Sequence, residues 1–273
     1  MDNRKNTLTG KVAIITGASS GIGEATAYRL AREGMHLTLL ARRQERLNRV
    51  AETIGNQPSL GGETRERVLV YPADVRDRDA LHQMVEMTLE KWGRVDILVN
   101  NAGFGYRSPV VDMDPLRLRE ILDVNVLAVI ESTQAVLPVM IKQSSGHIIN
   151  MASLAGFIGL PKSSAYSTTK YAVVGFTDGL YREVKRYGIR VTAFCPGFVA
   201  TEFSPRLKKI QDRQPDAPRL PGVMSSSYVA ERIVRVIRRP RRRVTLPPGW
   251  WLAVWIGQNF PFLADYALSL GIF

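Results

Sequence analysis

Short runs of consecutive apolar residues recur along most of the chain, and stretches with helical periodicity separate them. Because these runs are continuous rather than alternating with polar residues, they indicate strands buried on both faces of a parallel sheet. The predicted strands are 12–16, 37–41, 68–71, 95–99, 147–150, 190–195 and 244–246. The predicted helices are 21–32, one ending near 54, 77–92, 115–141, 164–187 and 228–238.

This alternation of strand and helix predicts an α/β fold, specifically a single-domain doubly wound parallel sheet of the Rossmann type with helices on both faces. We assign residues 1–248 to this domain and residues 249–273 to an apolar C-terminal tail. Residues 197–222 hold four prolines among charges and break the pattern. Such a segment is typical of a mobile loop over a substrate site, and a plain connection is the alternative interpretation.

Composition excludes several kinds of site. The 273 residues include one cysteine, Cys195, so no intrachain disulfide forms, and its apolar surroundings favour a buried structural thiol. The three histidines are scattered, and we expect no metal site. Residues 1–6 are polar and lack the apolar stretch of a secretory signal, so we expect a cytoplasmic protein.

The formal net charge is +12, and seven arginines between residues 232 and 243 carry much of the excess. This arginine cluster suits anionic lipid, nucleic acid or a cofactor phosphate, or it is a solvated basic face. No recognition motif or aromatic platform accompanies it, so we expect no nucleic-acid partner. The members are Arg232, Arg235, Arg238, Arg239, Arg241, Arg242 and Arg243.

The apolar tail follows this cluster and contains three tryptophans, Trp250, Trp251 and Trp255. Polar residues interrupt it, which argues against a membrane-spanning helix. Tryptophans near arginines suit a peripheral contact of 249–273 with the cytoplasmic face of a membrane. The alternatives are a tail that packs on its own domain, covers the substrate pocket or forms a dimer contact.

The first predicted strand runs directly into a glycine-rich turn. Gly17 allows a tight turn, Gly21 lets a pyrophosphate approach the backbone, and Gly23 lets the helix pack closely on the strand. The start of the following helix offers free N–H groups to a phosphate. The turn comprises Thr16, Gly17, Ala18, Ser19, Ser20, Gly21, Ile22 and Gly23.

The end of the second strand indicates which dinucleotide binds. An NAD site places a carboxylate there for the ribose 2′-hydroxyl, whereas this chain has Arg42 and Arg43. A guanidinium grips a 2′-phosphate through charge-assisted hydrogen bonds. The sequence therefore favours NADP(H) over NAD(H), with a solvated helix start as the alternative role of the arginines.

Tyr166 and Lys170 are four residues apart on a predicted helix, so they share one face. A free tyrosine titrates near ~10, and a neighbouring ammonium favours the phenolate and lowers that pKa. The pair predicts a group that acts as an acid in carbonyl reduction or as a base in alcohol oxidation.

Taken together, the motifs resemble those of the classical short-chain dehydrogenase/reductase family over residues 10–201. Ser153 precedes Tyr166 by thirteen residues, as in that family. One departure is Ser20, because many NADP-preferring members carry a basic residue there. The shared features are the glycine turn, Asn100 to Gly103, Asn125, Ser153, Tyr166, Lys170, and Pro196 with Gly197.

The resemblance implies a role for each matching residue. Tyr166 is the implied acid/base, Ser153 the hydrogen-bond partner of the substrate oxygen, Lys170 the ligand of the nicotinamide ribose, and Asn125 the holder of a relay water. Asp74 is expected to contact the adenine and Thr201 the carboxamide or phosphates. The other cofactor-binding candidates are Val75, Asn101, Ala102, Gly103, Pro196, Gly197 and Val199.

These expectations combine into an NADP(H)-dependent oxidoreductase acting on an apolar carbonyl or alcohol, such as a steroid, retinoid or acyl-chain ketone. The expected pocket is apolar, and the resemblance also implies a homo-oligomer. The alternatives are a dehydratase or epimerase on the same scaffold, and a non-catalytic NADP-binding, membrane-associated scaffold. The pocket residues are Phe104, Tyr106, Leu154, Phe157, Ile158 and the loop after Gly197.

Overall fold

A seven-stranded parallel sheet forms the centre of the protein, in the order β3-β2-β1-β4-β5-β6-β9. The computed structural model describes residues 8–56, 64–202 and 223–269. A two-residue parallel pairing of β7 with β8 lies outside this sheet. The strands are β1 (Val12–Thr16), β2 (His36–Ala41), β3 (Val68–Pro72), β4 (Ile97–Asn100), β5 (Gly146–Met151), β6 (Ile189–Pro196), β7 (Val199–Ala200), β8 (Met224–Ser225) and β9 (Arg243–Leu246).

Helices cover both faces of the sheet, as the continuous apolar strands predict. Alternate residues of β1 point to opposite faces: Ala13 and Ile15 pack in the core beneath α1 and α7, and Ile14 packs in the core beneath α3, α5 and α6. The helices are α1 (Gly21–Arg32), α2 (Gln44–Gly55), α3 (Arg78–Trp92), α4 (Pro115–Leu122), α5 (Ala128–Gln143), α6 (Ser164–Val184), α7 (Ser226–Arg238), α8 (Trp250–Asn259) and α9 (Pro261–Ser269).

The strand order reverses between β1 and β4, which pair side by side. The chain leaves β1 towards β2 on one side and leaves β4 towards β5 on the other. The loops that follow these two strands therefore diverge and open a crevice at the carboxyl edge of the sheet. Ligands of doubly wound sheets bind at this position.

Two predicted elements differ from the observed ones. The fourth strand spans Ile97–Asn100 rather than 95–99, and Asp96 just before it is bonded to Val12 twice, by its N–H to the Val12 carbonyl and by its carboxylate from the Val12 N–H, both at 2.9 Å. The predicted helix 115–141 is interrupted by a π-helical turn, Asp123–Leu127, between α4 and α5. Turns of this kind inside helices are frequent at functional sites.

The 29-residue stretch Pro115–Gln143 is long and apolar enough to span a membrane, with a mean hydropathy of 1.6 in its most apolar window. In the structure, 44% of that window is buried inside the domain, where α5 packs on the sheet. Its apolar character is that of a core helix.

The C-terminal tail forms α8 and α9, and it packs partly on the domain. Val254 is buried in a core cluster with Phe157, Val173 and Cys195, next to the end of β6. The opposite side of α8 is exposed, with 61% of Trp251 and 52% of Trp255 accessible. The tail therefore has one face in the domain and one apolar face in solvent.

Candidate active site

The glycine-rich turn joins β1 to α1 at the carboxyl edge of the sheet. Gly17 has φ +67, and a Cβ there would lie 2.8 Å from Ala102 Cα. A Cβ on Gly23 would overlap the Gly17 carbonyl oxygen. Glycine is therefore required at both positions, by the backbone conformation at Gly17 and by close packing at both. Ile22 packs partly buried against the core beneath α1.

The start of α1 has no side-chain cap, as is also the case for α2, α6 and α8. Asp77 and Asp114 cap α3 and α4 through their side chains. The Ser20 side chain, by contrast, makes no capping hydrogen bond to α1 among the described residues. Its hydroxyl oxygen instead accepts a bond from Arg43 at 2.8 Å. An uncapped helix start leaves N–H groups for an anion, which fits the pyrophosphate of a dinucleotide.

Arg43 lies directly against this turn. Its Nε and NH2 donate to Ser19 Oγ at 3.3 and 3.1 Å. Its NH1 donates to Glu202 Oε2 at 3.1 Å. Arg42 points further out, with 69% of its side chain exposed, and lies 3.9 Å from Asp74. Two guanidinium groups thus stand at the end of β2, where a 2′-phosphate reader is expected.

Asp74, which the sequence predicts to contact adenine, forms an ion pair with its neighbour Arg76. Its carboxylate accepts bonds from the Arg76 side chain at 3.1 and 2.7 Å and from the Arg76 N–H at 3.0 Å. These bonds hold the pKa of Asp74 below its usual value, with Arg76 as the main cause. Val75 is buried in the core beneath α3.

The loop after β4 crosses over the glycine turn and is tied to it. Thr16 Oγ1 accepts bonds from the N–H groups of Asn101 and Ala102, both at 3.0 Å. The Asn101 amide donates to the carbonyl oxygens of Thr16 and Gly17 at 3.0 and 3.2 Å. A Cβ on Gly103 would lie 3.0 Å from Asn125 Oδ1. Asn101, Ala102 and Gly103 thus link the cofactor turn to the chemical end of the crevice.

Tyr166 and Lys170 lie on the same face of α6, as their spacing predicts. Lys170 Nζ is 5.6 Å from the centre of the Tyr166 ring and donates to the Met151 carbonyl oxygen at 2.8 Å. Only 6% of Lys170 is exposed. The structure therefore gathers a phenol and a buried amine at the ends of β5 and β6.

The pKa of Tyr166 differs from the sequence-based expectation. Burial raises it to about 12, a larger effect than the lowering by the hydrogen bond with Ser153. Burial also lowers the pKa of Lys170 to about 8. Burial disfavours both charged forms, so it outweighs the ammonium–phenolate attraction that the sequence suggested.

Asn125 sits in the π-helical turn and is fully buried. Its Oδ1 accepts from the Phe104 N–H at 3.0 Å, and its Nδ2 donates to the Phe104 carbonyl at 2.9 Å. Nδ2 also lies 3.2 Å from Thr169 Oγ1, one residue before Lys170. Asn125 thereby fixes the loop after β4 to the helix that carries Tyr166 and Lys170.

Ser153 lies just beyond β5 and contacts the last residue of β6. Its hydroxyl donates to the Pro196 carbonyl at 3.3 Å and hydrogen-bonds Tyr166. The Gly197 N–H donates to the Leu246 carbonyl at 2.9 Å, which turns the chain away from the sheet.

Val199 and Thr201 follow that turn. Val199 is buried in the core beneath α1 and pairs with Met224 of β8. Thr201 is 9% exposed, and a Cβ on Gly21 would lie 3.2 Å from its Cγ2. Thr201 therefore lies over the glycine turn. Residues 203–222, most of the predicted substrate loop, lie outside the described residues.

Most of the predicted pocket residues are partly exposed beside this site. Phe104 lies under the Arg117 guanidinium at 5.3 Å, and the Tyr106 hydroxyl accepts from the Asp114 N–H at 2.9 Å. Phe157 differs, because it is 4% exposed and packs in the core with Val254. The expectation that Phe157 lines an open pocket is therefore wrong, and its neighbours Leu154 and Ile158 are the partly exposed apolar residues of this turn.

The arginine cluster is partly neutralised, and its last member, Arg243, lies 4.8 Å from the ring centre of Phe157, which packs with Val254 of the tail. Arg242 and Arg243 both bond Asp178, at 3.0 and 3.1 Å, and Arg238 pairs with Glu33. The strand β9 then runs between these arginines and α8, so the cluster lies towards the amino edge of the sheet and the tail begins at the carboxyl edge. Among the described residues, no group of three or more histidine, cysteine or acidic side chains is arranged to hold a metal ion.

Sequence reasoning missed Glu202 and Arg46. Arg46 NH1 donates to Glu202 Oε1 at 2.6 Å, and the carboxylate also accepts from Arg43. These bonds, with that from Arg46 the largest cause, lower the pKa of Glu202 to about 2. The spacing of Arg43 and Arg46 in the sequence indicates that the two arginines share a helix face. No local sequence pattern connects either arginine with Glu202.

Comparisons with known proteins agree with this geometry. The profile of the short chain dehydrogenase family matches residues 11–212. An uncharacterized oxidoreductase of Staphylococcus saprophyticus is 42% identical over 197 residues, which cover 72% of this chain and 82% of that protein. A Staphylococcus epidermidis oxidoreductase is 38% identical over 191 residues, covering 70% and 79%.

Solved structures with the same fold include nucleotide complexes. A short chain dehydrogenase/reductase of Burkholderia phymatum in complex with NAD has a TM-score of 0.81 at 27% identity and covers 94% of this chain and 96% of that one. A metagenomic short-chain oxidoreductase in complex with NADP has a TM-score of 0.72 at 28% identity, covering 88% and 98%. Levodione reductase has a TM-score of 0.76 at 29% identity, covering 87% and 96%.

Proposed function

Because this chain belongs to the short-chain dehydrogenase family, whose relatives are oxidoreductases, we propose that it is an NADP(H)-dependent enzyme that interconverts a carbonyl and an alcohol. The observation that carries the proposal is the convergence of Asn125, Ser153, Tyr166 and Lys170 at the carboxyl edge of the sheet, beside the glycine turn. Solved relatives bind NAD or NADP at this fold.

The four residues divide the proton chemistry. In the reduction direction, Tyr166 donates its phenolic proton to the substrate oxygen, and Ser153 hydrogen-bonds the same oxygen as charge develops there. NADPH, when bound beside these residues, would supply the hydride. Lys170 holds the nicotinamide ribose, and Asn125 supports the water through which the proton lost by Tyr166 is replaced.

The preference for NADP(H) rests on the end of β2. Arg43 is already directed at Ser19 and Ser20 of the glycine turn, and Arg42 stands beside it with an exposed guanidinium. Cationic groups at this point favour a 2′-phosphate over a bare 2′-hydroxyl. The remaining cofactor contacts are assigned to the glycine turn, to Asp74 and Val75, to the loop 101–103 and to the segment 196–201.

We assign an apolar substrate to this enzyme on account of Phe104, Tyr106, Leu154 and Ile158, which border the site. The tail adds to this border, because a Cβ on Gly257 of α8 would lie 2.9 Å from Ile158 Cδ1. Residues 1–248 form the catalytic domain in this proposal, and the tail covers one side of its substrate entrance.

The test is NADPH consumption over ketones and aldehydes of increasing lipophilicity, with NADH and a Tyr166→Phe variant alongside. We expect turnover with NADPH that rises with lipophilicity and falls by about 10²-fold or more in the variant, since a positioned proton donor contributes ~10²–10⁴-fold. Tight NADPH binding with no turnover on any substrate would instead favour a non-catalytic scaffold. Water loss or epimerisation without net NADPH consumption would favour the dehydratase or epimerase.

The exposed face of the tail carries a second proposal, peripheral contact with a membrane. Trp251, Trp255, Phe262 and Tyr266 are each more than half exposed, a concentration of aromatic surface that suits the headgroup layer. We expect the full chain to float with anionic lipid vesicles and the Trp251→Ser/Trp255→Ser variant to remain in the dense fraction. The matched control is Val111→Ser, at an 89% exposed valine outside the tail, which should float like the parent chain.

Equal flotation of the Trp251→Ser/Trp255→Ser variant and the parent chain would refute the membrane contact. A change in oligomeric state of the same variant, measured by light scattering, would assign the apolar face to an interface between copies. The proposal includes a homo-oligomer, which the same measurement on the parent chain tests.

A further inference from the structure

Three charged residues from distant parts of the chain meet beside the cofactor turn. Glu202 Oε2 accepts from Arg43 at 3.1 Å, and Glu202 Oε1 accepts from Arg46 at 2.6 Å. Arg43 and Arg46 begin α2, whereas Glu202 directly follows Thr201, which lies over Gly21. The carboxylate therefore bridges two guanidinium groups at the end of β2.

Arg43 is engaged on two sides at once. Its Nε and NH2 face the hydroxyls of Ser19 and Ser20, and its NH1 faces Glu202. The side directed at Ser19 and Ser20 is neutral and orients the guanidinium. The side directed at Glu202 is ionic, because it binds the Glu202 carboxylate.

A carboxylate and a phosphate compete for the same donors. A carboxylate is planar and a phosphate is tetrahedral, and a guanidinium binds the oxygens of either one through charge-assisted hydrogen bonds. Two anions bound to one arginine also repel each other. A 2′-phosphate that binds Arg43 must therefore displace the Glu202 carboxylate or accept its repulsion, whereas a 2′-hydroxyl pays neither cost.

We propose that Glu202 is a specificity-determining residue, whose carboxylate stands in for the 2′-phosphate on Arg43 and lowers the affinity of the enzyme for NADP(H) relative to NAD(H). This inference rests on the proposed dinucleotide function. Arg46 retains the carboxylate when Arg43 releases it, so the displacement is local.

Glu202 therefore raises the Kd of nucleotides that carry a 2′-phosphate and leaves the Kd of other nucleotides unchanged. The three side chains are 34–43% exposed, so solvent screens the pair and the effect is modest. Exposed ion pairs of this kind change an equilibrium by about 1.5- to five-fold, and the double negative charge of a phosphate favours the upper end. We expect Glu202→Gln to lower the Kd for NADPH by about five-fold.

The experiment measures Kd values for NADPH and NADH on the full-length protein, by titration calorimetry, for the parent chain and Glu202→Gln. Adenosine 2′,5′-bisphosphate and 5′-AMP are titrated as probes that carry the 2′-phosphate difference without the nicotinamide. We expect Glu202→Gln to tighten NADPH and the bisphosphate and to leave NADH and 5′-AMP within two-fold. Raising the salt concentration should reduce the gain, because the interaction is ionic.

The matched control is Glu33→Gln. Glu33 also bridges two arginines, Arg29 and Arg238, but it lies at the opposite end of α1. Its substitution should leave all four Kd values unchanged. Melting temperatures of both variants identify any loss of folded protein.

The outcomes separate this inference from the proposed cofactor preference. A parent chain that binds NADH more tightly than NADPH refutes the preference, yet a gain for NADPH in Glu202→Gln still supports the role of Glu202. Unchanged or weaker NADPH binding in a folded Glu202→Gln protein overturns the role of Glu202 while leaving the preference intact. A parent chain that binds neither dinucleotide refutes both.

Discussion

The buried amine of Lys170 is predicted to reduce the stability of the protein at neutral pH, and replacing it should expose this cost. Lys170 is 6% exposed and has the Met151 carbonyl oxygen at 2.8 Å. Burial lowers its pKa from 10.5 to about 8. Lys170→Met removes the charge and keeps a chain of similar length, which an apolar cavity tolerates well.

The pKa values give the sign and the size of the effect. Since the folded pKa of Lys170 lies below the unfolded one, the unfolded chain binds more protons between about pH 8 and 10.5, and stability rises with pH across that window. At 1.36 kcal/mol for each pKa unit, burial of Lys170 costs about 3 kcal/mol at pH 7. By pH 10 that cost falls to about 1 kcal/mol, a change of roughly 2 kcal/mol.

Loss of the hydrogen bond to Met151 offsets part of the gain, by about 1.5–3 kcal/mol for a charged donor. The folded pKa of Lys170 already includes the way this bond depends on charge, so the change of stability with pH follows from the folded and unfolded pKa values alone. The sharper prediction is therefore the change with pH: the stability of Lys170→Met relative to the parent chain should fall by about 2 kcal/mol from pH 7 to pH 10.

The assay is urea unfolding followed by tryptophan fluorescence, at one protein concentration, at pH 7 and pH 10. Lys142→Met is the control, because Lys142 is exposed on α5 and its substitution should give the same difference at both pH values. Activity of Lys170→Met should be lost even where its stability is higher. A stability difference for Lys170→Met that does not change with pH would refute the argument that burial controls this amine.

Two of the remaining predictions concern packing at glycines, and a third concerns a buried histidine. Gly23→Ala should reduce the free energy of unfolding by about 1–3 kcal/mol and weaken dinucleotide binding, because its Cβ would overlap the Gly17 carbonyl oxygen. Gly179→Ala in α6 is the matched control, because the new Cβ would meet open space within the described residues. It should raise the free energy of unfolding by roughly 0.5–1 kcal/mol in the same urea assay. Burial lowers the pKa of His147 to about 3. As the pH falls from about 6.5 towards 3, the unfolded chain takes up a proton at this histidine and the folded chain does not, so the protein loses stability. Acid unfolding of His147→Gln should therefore begin at a lower pH than that of the parent chain, and an unchanged acid midpoint would contradict this.

The fold followed from the sequence because each strand is a continuous apolar run and each lies between helical stretches. The seven strands of the main sheet were all predicted, and β4 begins two residues later than predicted, at Ile97. The π-helical turn around Asn125 was not predictable from periodicity. An added residue in one helical turn leaves the apolar pattern almost unchanged.

The site was predictable where it depends on local chemistry and unpredictable where it depends on distant contacts. The glycine turn and the Tyr166–Lys170 spacing are local, so sequence alone located them. The contact of Arg43 with Glu202 joins residues 159 positions apart and has no local signal. The same holds for the burial of Phe157, whose core cluster includes Val254 of the tail.

The altered pKa values of Tyr166 and Lys170 also bear on the proton transfer that we propose. Sequence reasoning considered only the attraction between ammonium and phenolate, whereas in the structure burial acts on both groups and favours the neutral phenol. A neutral Tyr166 is ready to donate its proton to a carbonyl oxygen. Alcohol oxidation needs the phenolate, which burial opposes. Burial therefore keeps on Tyr166 the proton that the proposed reduction uses, and the same burial makes the charged form of Lys170 costly to the fold.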